Sequence, residues 1–240
     1  MKHLTLAALV AALLLPAAAL AQSTHGEAGT YASPKAGSFE LGMGKYLPAI
    51  DSEFNGSAQP YRDVFGTDGG WAFRAAVSWA VHASRIGVAE VGVKSGFFRD
   101  SGYGLDQSGN PTGDKTTFNV VPTSLIATYR FDGVPERLHV PLAPYLRFGL
   151  ERYNWWVTDG DNNWSKEGAT NGWSGTLGLA LLLDWFDQQS ARDLDREAGI
   201  NHTYLFADWS FGKVDDFGSS KSWDLTNDKG AFQFGLMLAF

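Results

Sequence analysis

Seven charged residues, Glu40, Arg74, Glu90, Lys94, Arg147, Glu151 and Asp208, each stand next to a side chain that is apolar. In a chain of period two, such neighbours point to opposite faces, so the charges gather on one side. Enclosed together, carboxylates and cations can pair into an insulating network or line a path for a polar solute. Catalysis would ask for something else, a histidine beside a Ser, Asp or Glu. Beyond the first residues the histidines are His25, His82, His139 and His202, and none falls in a long polar connection facing outward. No catalytic residue is therefore assigned, and the chain is read as non-enzymatic. The run Asp159-Gly160-Asp161-Asn162-Asn163 spaces oxygen ligands as calcium loops do, but Trp164 and Thr170 replace the glycine and the acid such a loop needs. It reads as a solvated acidic turn, and neither metal nor cofactor is expected. With no cysteine, thiolate chemistry is excluded.

The elements that must hold these charges are strands. Phe232-Gln233-Phe234-Gly235-Leu236-Met237-Leu238-Ala239-Phe240 places large apolar groups at every second position and ends on an aromatic. Such a strand has one greasy face, and as the last strand it is expected to close a barrel. At the other end, residues 1–21 read as a cleaved signal peptide. Lys2 and His3 precede an apolar run, and Ala19-Leu20-Ala21 suits the cleavage enzyme. Residues 22–37 read as a loose periplasmic tail, and residues 38–240 as the barrel. Past the leader no stretch approaches the roughly 20 apolar residues of a spanning helix, so an integral chain must cross as strands. The net charge of −7, without basic clusters, argues against nucleic acid as a partner.

Alternation recurs in residues 38–47, 71–82, 85–98, 118–131, 140–153, 172–184, 202–212 and 232–240. In the first, Phe39, Leu41, Met43 and Leu47 share the outward face. The count is even and the segments have spanning length, which predicts an all-β, eight-stranded, antiparallel up-and-down transmembrane β-barrel. Connections 48–70, 99–117, 154–171 and 213–229 are long and polar and should face outside. Connections 83–84, 132–139 and 185–201 should face the periplasm. The last contains one short helix, capped by Asp187 and ended by Gly199, with Ala191, Leu194 and Ala198 on one face.

Trp71, Trp155, Trp156, Trp173 and Trp209 fall near the outer strand ends, and Tyr129 and Trp185 near the inner ones, as two interfacial belts would require. Trp155 and Trp156 fit a belt or a recognition surface equally, whereas Trp164 and Trp223 point to recognition of a sugar or protein. By strand count Glu40, Glu90 and Arg147 occupy lower levels of the lumen, with Arg74, Lys94, Glu151 and Asp208 above them. Eight strands leave room for little but side chains, so a salt-bridged plug is expected, with a small porin-like channel as the alternative.

Several stretches carry a family resemblance: Tyr46-Leu47-Pro48-Ala49-Ile50-Asp51, residues 123–132 (TSLIATYRFD), 155–161 (WWVTDGD), 177–184 (LGLALLLD), 190–199 and 202–206 (HTYLF). In these the chain resembles the myxobacterial-type outer-membrane β-barrel proteins of uncharacterised function. The resemblance implies an outer-membrane location and no particular reaction. Expected partners are the outer-membrane lipid with its lipopolysaccharide, and the assembly machinery that would read the C-terminal strand ending at Phe240.

Overall fold

The computed structural model describes residues 35–240 except 107, 139, 159–163, 220 and 229, and only the backbone of 136, 164 and 165. The proposed leader, most of the tail, His25, His139 and the Asp159–Asn163 turn lie outside the described residues.

Eight strands form one closed antiparallel barrel in chain order. They are β1 (Gly37–Tyr46), β2 (Gly70–Ala83), β3 (Val88–Leu105), β4 (Pro111–Arg130), β5 (Leu142–Thr158), β6 (Trp164–Leu182), β7 (His202–Lys213) and β8 (Ala231–Ala239). The barrel closes where β1 meets β8, with Leu41 opposite Leu236 and Met43 opposite Phe234. Phe240 extends that seam, its N–H donating to Gly37 O at 3.0 Å and its carbonyl accepting from Gly37 N at 2.8 Å. A closed ladder leaves no sheet edge within the barrel wall, which satisfies the strand backbone without water.

Alternation explains which side chains face where. Leu41, Phe73, Val91, Leu125, Phe148, Leu177, Leu205 and Phe234, one from each strand, are exposed on the outside. Their neighbours by one residue, among them Glu40, Glu90, Ser124, Arg147, Thr176 and Gln233, are buried inside. The register carries the apolar band around the wall: Val93 opposite Leu125, Leu125 opposite Leu150, Leu150 opposite Trp173, Leu177 opposite Trp209, and Trp209 opposite Phe232.

Four strands are longer than their alternation suggested. β1 and β8 have 10 and 9 residues, close to the length that crosses a bilayer, whereas β3, β4, β5 and β6 have 18, 20, 17 and 19. Most of the connections expected at 99–117 and 154–171 are therefore continuing ladder. Outside the apolar band the greasy-to-polar contrast fades, so the strands run on without the signal that marks them.

Three further corrections follow. Besides the expected helix, here α3 (Gln188–Ala198), there are α1 (Pro60–Phe65) and α2 (Gly133–Leu138), each only six residues and too short for a periodic signal. The described residues also include two 3₁₀ turns, η1 (Ala49–Phe54) and η2 (Leu183–Trp185). Leu47, expected on the outer face, lies past the end of β1 and is buried under the outer loops. The α3 caps are as expected: Asp187 accepts from Ser190 N at 3.0 Å, and Gly199 adopts φ 68°.

Candidate functional site

Neighbouring strands bring the inward charges together inside the barrel. At the lower level Arg147 (β5) donates through Nη2 to Glu40 (β1) and through Nε to Thr128 Oγ1 at 2.9 Å. Its guanidinium also lies 5.4 Å from the centre of the Tyr145 ring. Both charged partners are buried, so each removes an otherwise costly isolated charge.

Glu90 does not share Arg147. It faces Arg130, whose Nη2 lies 3.3 Å from Glu90 Oε1 and whose Nε donates to Asp132 Oδ1 at 2.7 Å. Ser38 supplies a further donor to Glu90 at 2.9 Å. Arg130 is 1% exposed, lies 5.6 Å from the Tyr204 ring centre, and is joined through Asp132 to Lys35 at 3.4 Å. Strand phase turned Arg130 inward, but its partner Asp132 lies past the end of β4, where alternation gives no direction. That is why sequence reasoning omitted this second ion cluster.

The upper charges are held differently. Glu151 accepts from Ser124 and Ser174, and Asp208 Oδ2 accepts from Tyr145 OH at 2.8 Å. Among the described residues Arg74, Lys94, Glu151 and Asp208 make no ion pair. Arg74, Lys94 and Asp208 line a cavity of about 10 Å³ with Glu40, Arg147 and Gln233. Below it, Tyr145, Tyr204, Phe206 and Met237 pack into an apolar floor.

Above the charges, aromatic side chains seal the end that carries the long hairpins, the outer end of the expected topology. Tyr46, Tyr61, Phe98, Phe118, Tyr153 and Leu225 are buried there, with Phe65, Trp155 and Trp223 packed against them. Phe118 is the hub, with ring centres of Tyr61, Phe65, Phe98, Trp155 and Trp223 between 5.8 and 6.5 Å away. Backbone alternation splits the Trp155–Trp156 pair. Trp155 turns in and stacks on Trp223 at 4.0 Å and 13°, while Trp156 turns out, 6.5 Å from Phe97. Trp164 opens β6, and its side chain lies outside the described residues.

The loops over this seal are tied to each other. Tyr46 OH donates to Leu225 O at 2.6 Å, Ala49 N to Thr226 O at 2.9 Å, and Arg62 Nη2 to Asp228 Oδ2 at 2.7 Å. Tyr61 donates to Asp100 Oδ2 at 2.8 Å, and burial, then the nearby Asp100 charge, pushes its phenol well above the ordinary range. At Gly102 a Cβ would come within 1.8 Å of Val64 O, so α1 can lie on β3 only over a glycine. An outer recess of about 330 Å³ lies beside Glu53, Asp215 and Asp224. Those carboxylates already bind the loops' own groups, Asp224 N and Lys213 Nζ.

At the opposite end His202 Nδ1 meets Asp184 Oδ2 at 2.7 Å, and Asp184 Oδ1 accepts from Thr203 N, so the pair joins η2 to β7. His82 is exposed near the β2–β3 turn at that same end.

No family model matches the chain, and no curated protein matches it. Solved structures similar to it include the outer membrane protein OprG from Pseudomonas aeruginosa, with 11% identity and TM-score 0.48 over 88% of this chain and 99% of that one. Neisserial surface protein A gives 14% and 0.46 over 85% and 96%. Ail, the attachment invasion locus protein of Yersinia pestis, gives 10% and 0.40 over 85% and 99%. Likeness at this level says nothing of what this chain binds or does.

Proposed function

We propose that this chain spans a bacterial outer membrane as a closed barrel, and that it serves as a structural or surface-interaction element. The observation that supports this reading is a packed cluster on either side of the lumen charges. An aromatic seal centred on Phe118 stands above the charge network, and a Tyr145–Tyr204–Met237 floor lies below it. The mid-lumen cavity between them holds only about 10 Å³, too little for any solute larger than water.

The outer face supports the membrane part. Leu125 is 64% exposed on a wall whose apolar band is continuous from strand to strand, and water is a poor solvent for such a surface. Trp71, Trp156, Trp173 and Trp209 border the band on the side of the long hairpins. Tyr129, Phe131, Trp185 and Phe186 border it on the other. These are the positions of interfacial belts, with lipid and lipopolysaccharide as the partners they would meet. Export through a cleaved leader and recognition of the strand ending at Phe240 by assembly machinery belong to the same proposal. No catalytic role is assigned.

Trp155 and Trp223 then act as parts of the seal. A recognition surface would instead use the outward faces of the long β3–β6 wall and the loop residues around Phe217, which is 69% exposed.

The test is single-channel conductance of the refolded protein in a planar bilayer. Protein shown folded by heat-shifted gel mobility should stay electrically silent, and Arg147→Met should stay silent too because the aromatic seal is untouched. Discrete conductance steps would overturn the closed lumen and favour the porin-like alternative, with the lumen charges as its gate.

A further inference from the structure

Two buried polar atoms belong to residues that line the same small cavity in the middle of the barrel. Arg74 Nε on β2 and Asp208 Oδ1 on β7 have no hydrogen-bond partner among the described residues, and both side chains line that cavity. Asp208 is 4% exposed and has committed its other oxygen to Tyr145. Leaving a donor and an acceptor unmet inside a protein costs far more than one hydrogen bond contributes.

We infer that this cavity is a binding site for a single internal water, which accepts from Arg74 Nε–H and donates to Asp208 Oδ1. The inference rests on the closed-lumen reading. Three features converge on it. The volume of about 10 Å³ is the size at which one water fits and a second does not. The lining is mixed, with Ala76 and Phe206 among Glu40, Lys94, Arg147 and Gln233, and its polar groups offer a water the two to four partners it needs. The lining also carries three cations, Arg74, Lys94 and Arg147, against two carboxylates, Glu40 and Asp208, which disfavours a metal cation in the cavity.

The water makes Arg74 and Asp208 a solvent-separated ion pair that ties β2 to β7, strands that share no ladder. It accounts for an upper charge level without direct ion pairs, where the lower level has Arg147 on Glu40.

The test uses the whole refolded, isotope-labelled protein in lipid nanodiscs. The Arg74 Nε–H resonance is assigned by its loss in Arg74→Lys. The expected result is a cross-peak to water with the sign of a long-lived bound molecule, together with an Nε–H signal that outlasts transfer to D₂O. Slow exchange with no water cross-peak would overturn the inference and leave the closed lumen standing. Exchange at the rate of an exposed guanidinium would overturn both, because it would mean a continuous water column.

Discussion

Removing Arg147 tests how the lumen is stabilised. In Arg147→Met the apolar volume stays similar, but Glu40 remains 4% exposed and loses its only described hydrogen-bond partner. Breaking a buried pair from one side costs about 3–5 kcal/mol, since the remaining charge must stay desolvated or reach for solvent. The Thr128 hydroxyl loses its donor in the same step, adding to the cost within that range. Replacing both partners, Glu40→Leu with Arg147→Met, removes the stranded charge, so the double variant should fall within about 1 kcal/mol of the parent. The assay is urea unfolding in lipid vesicles, with midpoint and slope from tryptophan emission checked by gel mobility. A single variant costing less than about 1 kcal/mol, or a double variant whose loss is the sum of its singles, would refute this account of the lumen.

Phe118→Ala should cost about 3–5 kcal/mol and leave the loops at 48–70 and 213–230 open to protease, because the side chain is the hub of the outer seal. Limited proteolysis with mapping of the cuts checks it. Gly178→Val should dislodge Tyr145, since even a Cβ there would lie 2.1 Å from its ring, and the Tyr145–Asp208 bond should go with it. The lost bond would appear as a changed Tyr145 hydroxyl signal, and an unchanged one would contradict the packing. The Asp187 carboxyl is held below its usual range by the Ser190 hydroxyl and amide. A depressed carboxylate stabilises the cap above its unfolded-state pKa, and that contribution is lost as pH falls through the lower folded value. The protection of the Ser190 amide, its exchange rate measured against the intrinsic rate at each pH, should therefore fall on acidification, while a pH-independent protection factor would argue against the cap.

Most of this fold is legible in the sequence because a barrel wall sorts side chains by period two. Phe232 to Phe240 alone reveals the outward and inward faces of β8, and all eight strands follow the same rule. The rule fails where one face no longer meets lipid. From Arg99 to Leu105 both faces are mixed, so the extension of β3 is invisible to alternation though its ladder with β4 continues to Pro111. The lumen charges are legible for the same reason, but their partners are not. Glu90 depends on Arg130, which phase turns inward, but Arg130 is held by Asp132, which lies past the end of β4 where phase gives no direction. The seal is the least legible part. Tyr61, Trp155 and Trp223 come from α1, β5 and the β7–β8 connection, and only the tertiary approach of loops held by Tyr46 and Asn227 makes them one cluster.

The most direct test of a membrane-spanning barrel with a filled lumen is a pair of adjacent cysteines on β6. The chain has no cysteine of its own, so Leu179→Cys and Ala180→Cys each give a single reporter. Leu179 is exposed on the outer face and Ala180 is fully buried inside. In proteoliposomes, a fluorophore on residue 179 should be quenched by lipid-borne quenchers and not by aqueous iodide. Residue 180 should resist water-soluble thiol reagents until the protein is unfolded. Quenching of 179 by iodide would contradict the membrane-spanning wall, and rapid aqueous labelling of 180 would contradict the filled lumen.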